Sequence, residues 1–457
     1  MKLMVVSLGC DKNLVDTEMM MGQLAGREFF SDKKQTCGFS LEFTDDEEEA
    51  EIIIVNTCCF INDAKEESVD TILAMAEWKK TGNCKVLIVT GCMAQRYRLE
   101  IIEEIPEVDA VVGTSSYDRI CEVLERVLAG EKHNVFEELE RLPDNSKKRL
   151  VTTGGHYAYQ KIAEGCDKCC TYCIIPKIRG KFRSYPIESL VLQAQKLAAD
   201  GVKELLLVAQ ETTLYGKDLY GEKSLHRLLR ELCKIEGLVW IRILYCYPEE
   251  IDDELIKVIK EEPKICHYLD MPIQHADDEV LRRMGRRTNQ ADLRAVIEKL
   301  RREIPDIALR TTLIAGFPGE TDKAHEELLA FVDEMEFDRL GCFAYSAEED
   351  TPAFSFPNQV DDAVKENWRD EIMELQQEIS MDKSKERIGK TYRVMIEGRV
   401  AGENAYVGRT YMDAPNVDGY IFVNTDEELM TGDFVPVKVT GALEYDLIGE
   451  IDYESAK

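Results

Sequence analysis

Residues 158–173 read AYQKIAEGCDKCCTYC, an apolar strand-like run that closes on four cysteines in eight positions. Three parsings of the cysteines are open: two metal-knuckle pairs, a disulfide knot, or a three-thiolate set Cys166, Cys170 and Cys173 with Cys169 a bystander. The choice depends on what the rest of the chain builds around them.

A chain of 457 residues exceeds what one hydrophobic core usually serves, so two or three domains are expected. With 44% hydrophobic and 32% charged residues there is ample material for buried cores, which excludes a disordered protein. Lys+Arg 57 against Asp+Glu 88 leaves −31, which disfavours a phosphate backbone as direct substrate and favours a basic macromolecular partner. The start MKLMVVSLGCDKN has only a short apolar stretch, and no 18 consecutive apolar residues occur, so neither a signal peptide nor a membrane span is expected. A cytoplasmic location follows as the expectation. There thiols stay reduced, and fifteen cysteines are metal ligands, reactive thiols or small core residues, which removes the disulfide knot.

Residues 1–130 alternate apolar runs (KLMVVSLGC, EIIIVNTC, KVLIVTGC, DAVVGT) with amphipathic helical stretches, the pattern of a doubly wound parallel sheet. Three of these strands end in cysteine, at Cys10, Cys58 and Cys92. Carboxyl ends of strands in open α/β sheets face the ligand crevice, so the three thiols are expected to converge there. Cys59, Cys84 and Cys121 read as ordinary core residues. Residues 131–155 lose the periodicity and read as a linker. From 156 to 388 six βα units follow, predicting a partial (β/α)6 barrel ended by a charged helix at about 361–388. Residues 389–457 turn to short alternating strands split by Gly, Asn and Asp, as in a small antiparallel β-barrel. From Lys390 on, six Lys/Arg face thirteen Asp/Glu, a net of −7.

A structural zinc site would want a second C-x2-C pair or paired histidines, and the six histidines are scattered. The C-x3-C-x2-C spacing instead suits three irons of a [4Fe–4S] cube at the top face of a barrel, with one iron left open. An open iron can take S-adenosylmethionine and inject an electron into its sulfonium.

These residues resemble the radical S-adenosylmethionine enzymes: the triad Cys166, Cys170, Cys173, with Tyr172 before the third cysteine and a six-unit barrel behind it. SLGCDKNLVDTE, NTCCF and VTGC resemble the cluster-binding domain of the methylthiotransferases, which implies a second [4Fe–4S] cluster on Cys10, Cys58 and Cys92. The C-terminal module resembles their substrate-recognising TRAM domain. Within that family SLGCDKNLVDTE, KIAEGCDKCCTYCIIPKIRGKFRS and YMDAPNVDGYIF resemble the RimO type, which modifies an aspartate on a small-subunit ribosomal protein, more than the MiaB type, which modifies transfer-RNA adenosine. An acidic module suits a basic protein loop. The resemblance implies two uses of S-adenosylmethionine, one as methyl donor to sulfur and one as source of the radical that abstracts hydrogen from the aspartate β-carbon. It also implies an external electron donor. A non-catalytic iron–sulfur scaffold is the remaining alternative, and it gives no reason for a barrel carrying an incompletely ligated cluster.

Contacts to S-adenosylmethionine are expected from Tyr172, from Gln210, Glu211 and Thr212 where barrel strand two ends, from Arg242 in WIRILYCYP toward a carboxylate, and from Gly316 in AGFPGET as a close approach of backbone. No side chain beyond the clusters is expected to be catalytic. His275 in MPIQHA reads as structural, and DDEEEA at 45–50 as a solvated helix start.

Overall fold

The runs Ile52–Thr57 and Val86–Gly91 are buried at every position, as befits central strands of a parallel sheet covered on both faces. The computed structural model describes residues 1–30 and 38–454. They gather into two units: Met1–Thr152 with Lys161–Ser189 and Ser346–Phe354, and Thr153–Gln160 with Leu190–Tyr345 and the segment from Ser355 onward.

The first unit holds a five-stranded parallel sheet in the order Glu42–Phe43, Lys2–Ser7, Ile52–Thr57, Val86–Gly91, Ala110–Val112. Alternate residues Ile53, Val55, Leu87, Val89 and Val111 form one core with Ile72, Met75, Met93 and Ile101 of the helices Asn62–Thr81, Cys92–Tyr97 and Glu100–Glu104. Their neighbours along each strand point to the opposite face. The edge strand Glu42–Phe43 and the antiparallel pair Glu28–Phe30 with Gly38–Ser40 are additions that short, polar-flanked runs did not announce. The acidic run at 45–50 is a turn and not the expected helix start. Its carboxylates are drawn into local contacts, Glu49 with Lys2 and Glu47 with the Trp78 indole at 3.0 Å.

In the second unit six strands lie side by side in chain order, Tyr157–Lys161, Glu204–Val208, Trp240–Ile243, Ile265–Asp270, Ala308–Ala315 and Arg339–Ala344. Pairing is parallel wherever a register is defined, and the sheet stays open, as a partial barrel does. Several helices of this unit start on a capping side chain: Asp252, Asp277, Thr321 and Asp361 accept a backbone N–H of the first turn, and Asn289 with Asp292 makes a capping box.

The chain then closes a five-stranded barrel in the order Thr391–Arg399, Ala405–Arg409, Ile421–Asn424, Leu447–Ile451, Phe434–Ala442. Four pairings are antiparallel as expected, but Ile421–Asn424 runs parallel to Leu447–Ile451. Phe434–Ala442 intervenes in the chain, so the last strand arrives in the same direction as the one it must seal against. Val394, Ile396, Val423, Val437 and Leu447 fill the interior.

Buried charge joins this barrel to the six-stranded sheet. Glu204 accepts from Arg242 Nε at 2.8 Å and from Arg409 Nη2 at 2.6 Å, and all three side chains are fully buried. Arg242 Nη1 also donates to the Tyr411 carbonyl at 2.6 Å, and Arg409 Nε to Glu397 at 2.6 Å. A second group places Asp418 between Arg310 at 3.2 Å and the Tyr268 hydroxyl at 2.7 Å, beside the Arg339–Asp413 pair. Burial alone would push the Glu204 carboxyl up, but Arg409 and then Arg242 outweigh it and hold it below the ordinary glutamate value. The stabilisation is therefore complete above the unfolded glutamate pKa and is lost as pH falls toward the folded one.

Glu204→Gln leaves buried Arg242 without a carboxylate and Arg409 with Glu397 alone, and is expected to cost about 3–5 kcal/mol. Urea unfolding near neutral pH checks the size. Repeating it at acid pH checks the sign, because the gap between wild type and variant should narrow as Glu204 becomes protonated.

Candidate functional site

Cys10 precedes the helix Asp11–Leu24, Cys58 follows the strand Ile52–Thr57, and Cys92 opens the helix Cys92–Tyr97. Backbone shape brings them together. Gly9 has φ +84°, and a Cβ there would stand 2.6 Å from Cys58 Cβ and 2.8 Å from its Sγ, so only glycine lets the SLGC loop pass against Cys58. Gly91, at φ +94°, does the same beside Asn56 and Thr57. Asn13 Nδ2 then bonds the Leu8 carbonyl at 3.1 Å and the Thr57 carbonyl at 2.9 Å, tying the Cys10 loop to the Cys58 loop. Ser68 Oγ accepts from the Cys58 N–H at 3.0 Å and donates to its carbonyl at 2.8 Å. The cysteine cradle is thus held by neutral hydrogen bonds that need no metal.

The thiols lie within one another's electrostatic reach. Burial first, then the charges of Cys92 and Cys10, push the Cys58 thiol up to about 12. Cys92 is also raised, chiefly by burial, with Arg179 pulling the other way. Thiols in this setting become thiolates only when a positive centre compensates them, and an iron–sulfur cluster supplies that charge. Cys59 is fully buried in an apolar core with Ile53, Val55 and Ile72 that also takes in Cys92, and burial first, then Cys92, raises its thiol.

In the second trio Cys166 and Cys170 are buried and Cys173 is half-buried. The Cys173 thiol is raised by desolvation, then by Cys170 and Cys166. Cys169 is exposed, with a left-handed backbone at φ +54° that turns it out of the row. The loop is anchored by Cys166 N–H to the Gly180 carbonyl at 3.1 Å, Cys173 N–H to the Cys170 carbonyl at 3.0 Å, and Ala353 N–H to the Thr171 carbonyl at 2.9 Å. Tyr172 sits half-buried in this loop. Among the described residues no three His, Cys, Asp or Glu side chains gather at the spacing of a single metal ion. A four-iron cube engages each thiol through a different iron, so its ligands need not crowd one point.

Four buried charges tie the two cysteine regions together within the first unit. Lys161 pairs with Asp16 and Glu164, and Arg179 Nη1 reaches Asp16 at 2.8 Å and Glu164 at 3.4 Å. Arg179 Nη2 donates to Asn13 Oδ1 at 2.6 Å and lies 3.6 Å from Cys92 Sγ. Sequence reasoning missed this quartet. The available signal was a helix face carrying Lys12, Asn13, Asp16 and Thr17 that the fold buries.

The expected cofactor contacts divide. Gln210 follows the strand Glu204–Val208, and its buried Oε1 makes no hydrogen bond to protein among the described residues. Glu211 accepts from Thr213 N–H at 2.8 Å and from the Thr213 hydroxyl, and Thr212 Oγ1 bonds the Leu244 carbonyl at 2.8 Å. Arg242 gives Nε to Glu204 and Nη1 to the Tyr411 carbonyl, while its buried Nη2 has no hydrogen-bond partner among the described residues. Gly316, at φ +75°, lies against Lys365 of the helix Asp362–Glu386, whose Cβ would stand 2.8 Å from an added methyl group. His275 accepts the Asp277 N–H at 3.0 Å, and its Nε2 lies 3.2 Å from Glu320.

Residues 2–113 match the family described as Uncharacterized protein family UPF0004, residues 161–332 the Radical SAM superfamily, and residues 388–451 the TRAM domain. Among solved structures the radical S-adenosylmethionine methyltransferase TsrM of Kitasatospora setae has a similar fold, with a TM-score of 0.52 at 13% identity over 77% of this chain and 73% of that one. The fold and the matched regions define a radical S-adenosylmethionine enzyme. The chain is 59% identical, over 98% of its length and 99% of the relative's, to the ribosomal protein uS12 methylthiotransferase RimO of Lachnoclostridium phytofermentans. It is 50% identical, over the full length of both chains, to the protein of the same name from Clostridioides difficile. It belongs to the RimO family of radical S-adenosylmethionine methylthiotransferases.

In metal-free protein, iodoacetamide is expected to label Cys169 first and to leave Cys59 and Cys84 unmodified until the chain is unfolded. Peptide mass spectrometry along the labelling time course reads this order, and rapid labelling of Cys59 would place it in the cradle instead of the core.

Proposed function

We propose that this enzyme adds a methylthio group to the β-carbon of an aspartate in ribosomal protein uS12, holding one [4Fe–4S] cluster on Cys10, Cys58 and Cys92 and another on Cys166, Cys170 and Cys173. The reading is supported by burial: Cys58, Cys92, Cys166 and Cys170 are buried and Cys10 and Cys173 half-buried, whereas Cys169 is exposed on a left-handed backbone. Such clusters, when bound, supply one-electron cleavage of S-adenosylmethionine and a site for the transferred sulfur. The chain's own part is positional. Gly9, Asn13 and Ser68 hold the first trio in place, and the anchored 166–180 loop holds the second. Tyr172, in that second loop, is the proposed contact to S-adenosylmethionine.

The substrate is supported by the names of the full-length relatives and by charge. Of the C-terminal barrel's charged side chains, Arg409, Asp413 and Asp418 are buried, whereas Glu403, Asp426, Glu427, Glu428, Glu444 and Glu450 face solvent and outnumber the exposed Lys390, Arg393, Arg399 and Lys438. That surface suits a basic ribosomal protein and repels a nucleic acid. No helix among the described residues is long and apolar enough to cross a membrane. A cytoplasmic site of action and an external electron donor complete the reading.

Iron and sulfide analysis after anaerobic reconstitution is expected to give about eight irons per chain, and about half that in a Cys166/Cys170/Cys173→Ala variant. A wild-type value near four would refute the two-cluster assignment. Incubation with reductant and S-adenosylmethionine should add a methylthio mass to uS12; its appearance on transfer RNA alone would reassign the substrate.

A further inference from the structure

We propose that Arg179 is a positioning residue that sets the reduction potential of the cluster on Cys10, Cys58 and Cys92, by holding a buried guanidinium against the sulfur of Cys92. The inference rests on the two-cluster reading above. It assigns a function to a residue carried on the loop of the other trio.

The placement of Arg179 is determined by elements other than its own charge. The helix Ile175–Arg179 begins two residues after Cys173 and stops at Gly180, whose φ of +73° releases the chain. Ile174 and Ile178 sit in the same apolar core as Cys92, Met93 and Ala94, and Thr114 Oγ1 donates to the Ile178 carbonyl at 2.8 Å. The helix end is thereby fixed beside the cysteine cradle, and the arginine side chain, 2% exposed, has nowhere to go but into it.

The guanidinium fork then divides its work. Nη1 faces Asp16 at 2.8 Å and Glu164 at 3.4 Å, which together with Lys161 make a quartet of two positive and two negative groups. Nη2 faces Asn13 Oδ1 at 2.6 Å and Cys92 Sγ at 3.6 Å. The charge needed to bury Arg179 is met on one edge of its plane, leaving the other edge to act on sulfur. Arginine does not deprotonate in proteins, so this is a permanent N–H donor and a permanent positive charge. Iron–sulfur potentials depend on net charge, burial and hydrogen bonds to sulfur. A cation at a ligand sulfur favours the more negative, reduced state and raises the potential. Cys58 also feels the Arg179 charge, so the effect extends over the trio. A residue serving only as a staple between the two segments would need the carboxylate contacts but not the one to sulfur.

The test uses the full-length chain carrying Cys166→Ala, Cys170→Ala and Cys173→Ala, so that only the cluster in question is present after anaerobic reconstitution. Its midpoint potential is read by EPR-monitored redox titration, alone and with Arg179→Gln, Arg179→Lys or Asp16→Asn added. Arg179→Gln is expected to lower the potential enough to cut the reduced-to-oxidised ratio at the parent midpoint at least tenfold, about 59 mV for one electron. Arg179→Lys should keep that ratio within about threefold, because the charge is retained. Asp16→Asn removes a negative group from the far edge and should shift the potential upward.

An Arg179→Gln protein that holds its iron at an unchanged potential overturns the proposal, as does an Arg179→Lys shift equal to that of Arg179→Gln. If Arg179→Gln loses its cluster, the sign of the Asp16→Asn shift decides, and no upward shift overturns the role. Absence of iron from the parent triple variant is a different failure: it removes the two-cluster reading and this role with it.

Discussion

A thiolate in a dry pocket is costly, and three together are costlier, because each adds its charge to the desolvation of the others. The first cysteine cradle answers this constraint in its scaffold before any cofactor enters. Gly9 and Gly91 let three loops approach to van der Waals distance, and Asn13, Asn56 and Ser68 satisfy the backbone groups that this crowding would otherwise strand. Asn56 Nδ2, for example, donates to the Asn13 carbonyl at 2.8 Å and to Thr17 at 2.9 Å, so the residue that ties two cysteine loops is itself held from the neighbouring strand. Neutral amides suit this task because they order backbone without adding charge beside groups whose charge is the difficulty.

Full charges come compensated, and one of them, Arg179, reaches the cradle at Cys92 Sγ, 3.6 Å away. Asp16, Glu164, Lys161 and Arg179 balance within the first unit, as Glu204, Glu397, Arg242 and Arg409 do within the second. Such quartets add less to stability than their short distances suggest, since burial consumes most of the Coulomb gain. Their value lies in geometric specificity: a guanidinium plane bonded on two edges has one orientation. In the second unit that orientation registers the C-terminal barrel on the sheet, and in the first it registers the 166–180 loop on the cysteine cradle.

This division explains what could be read from the chain. Strands such as EIIIVNTC and KELLLVAQ and helices such as DKAHEELLAFVDEM carry their period in adjacent residues, so the three architectures were legible. The cysteine motifs stood out because spacing and strand ends are local features too. Ion pairs between distant segments are not local. Arg242 stood out correctly as a charge inside an apolar strand, yet its partners Glu204 and Tyr411 lie in other elements, and nothing nearby distinguishes them from a ligand carboxylate. Gly316 was likewise rightly read as a close approach, but the approaching group is Lys365 of a helix far along the chain. Arg179, inside the basic run PKIRGKFR, resembled its solvent-facing neighbours until the fold enclosed it.

Net charge is the one global quantity whose meaning depends on this sorting. The tail's −7 would say little about a partner if its acids were the buried ones and its bases the exposed ones. Two acids are indeed consumed inside, Asp413 by Arg339 and Asp418 by Arg310, and both partners come from the six-stranded sheet and not from the tail. Arg409 is also consumed, against Glu204 and Glu397. Removing these groups leaves Lys390, Arg393, Arg399 and Lys438 exposed against a longer row of carboxylates on the Glu403 turn, the 426–428 loop and the strand ends. The acidic face therefore persists after the fold has taken what it needs, and it acts at long range through solvent, where it speeds encounter with a basic surface more than it strengthens the bound state.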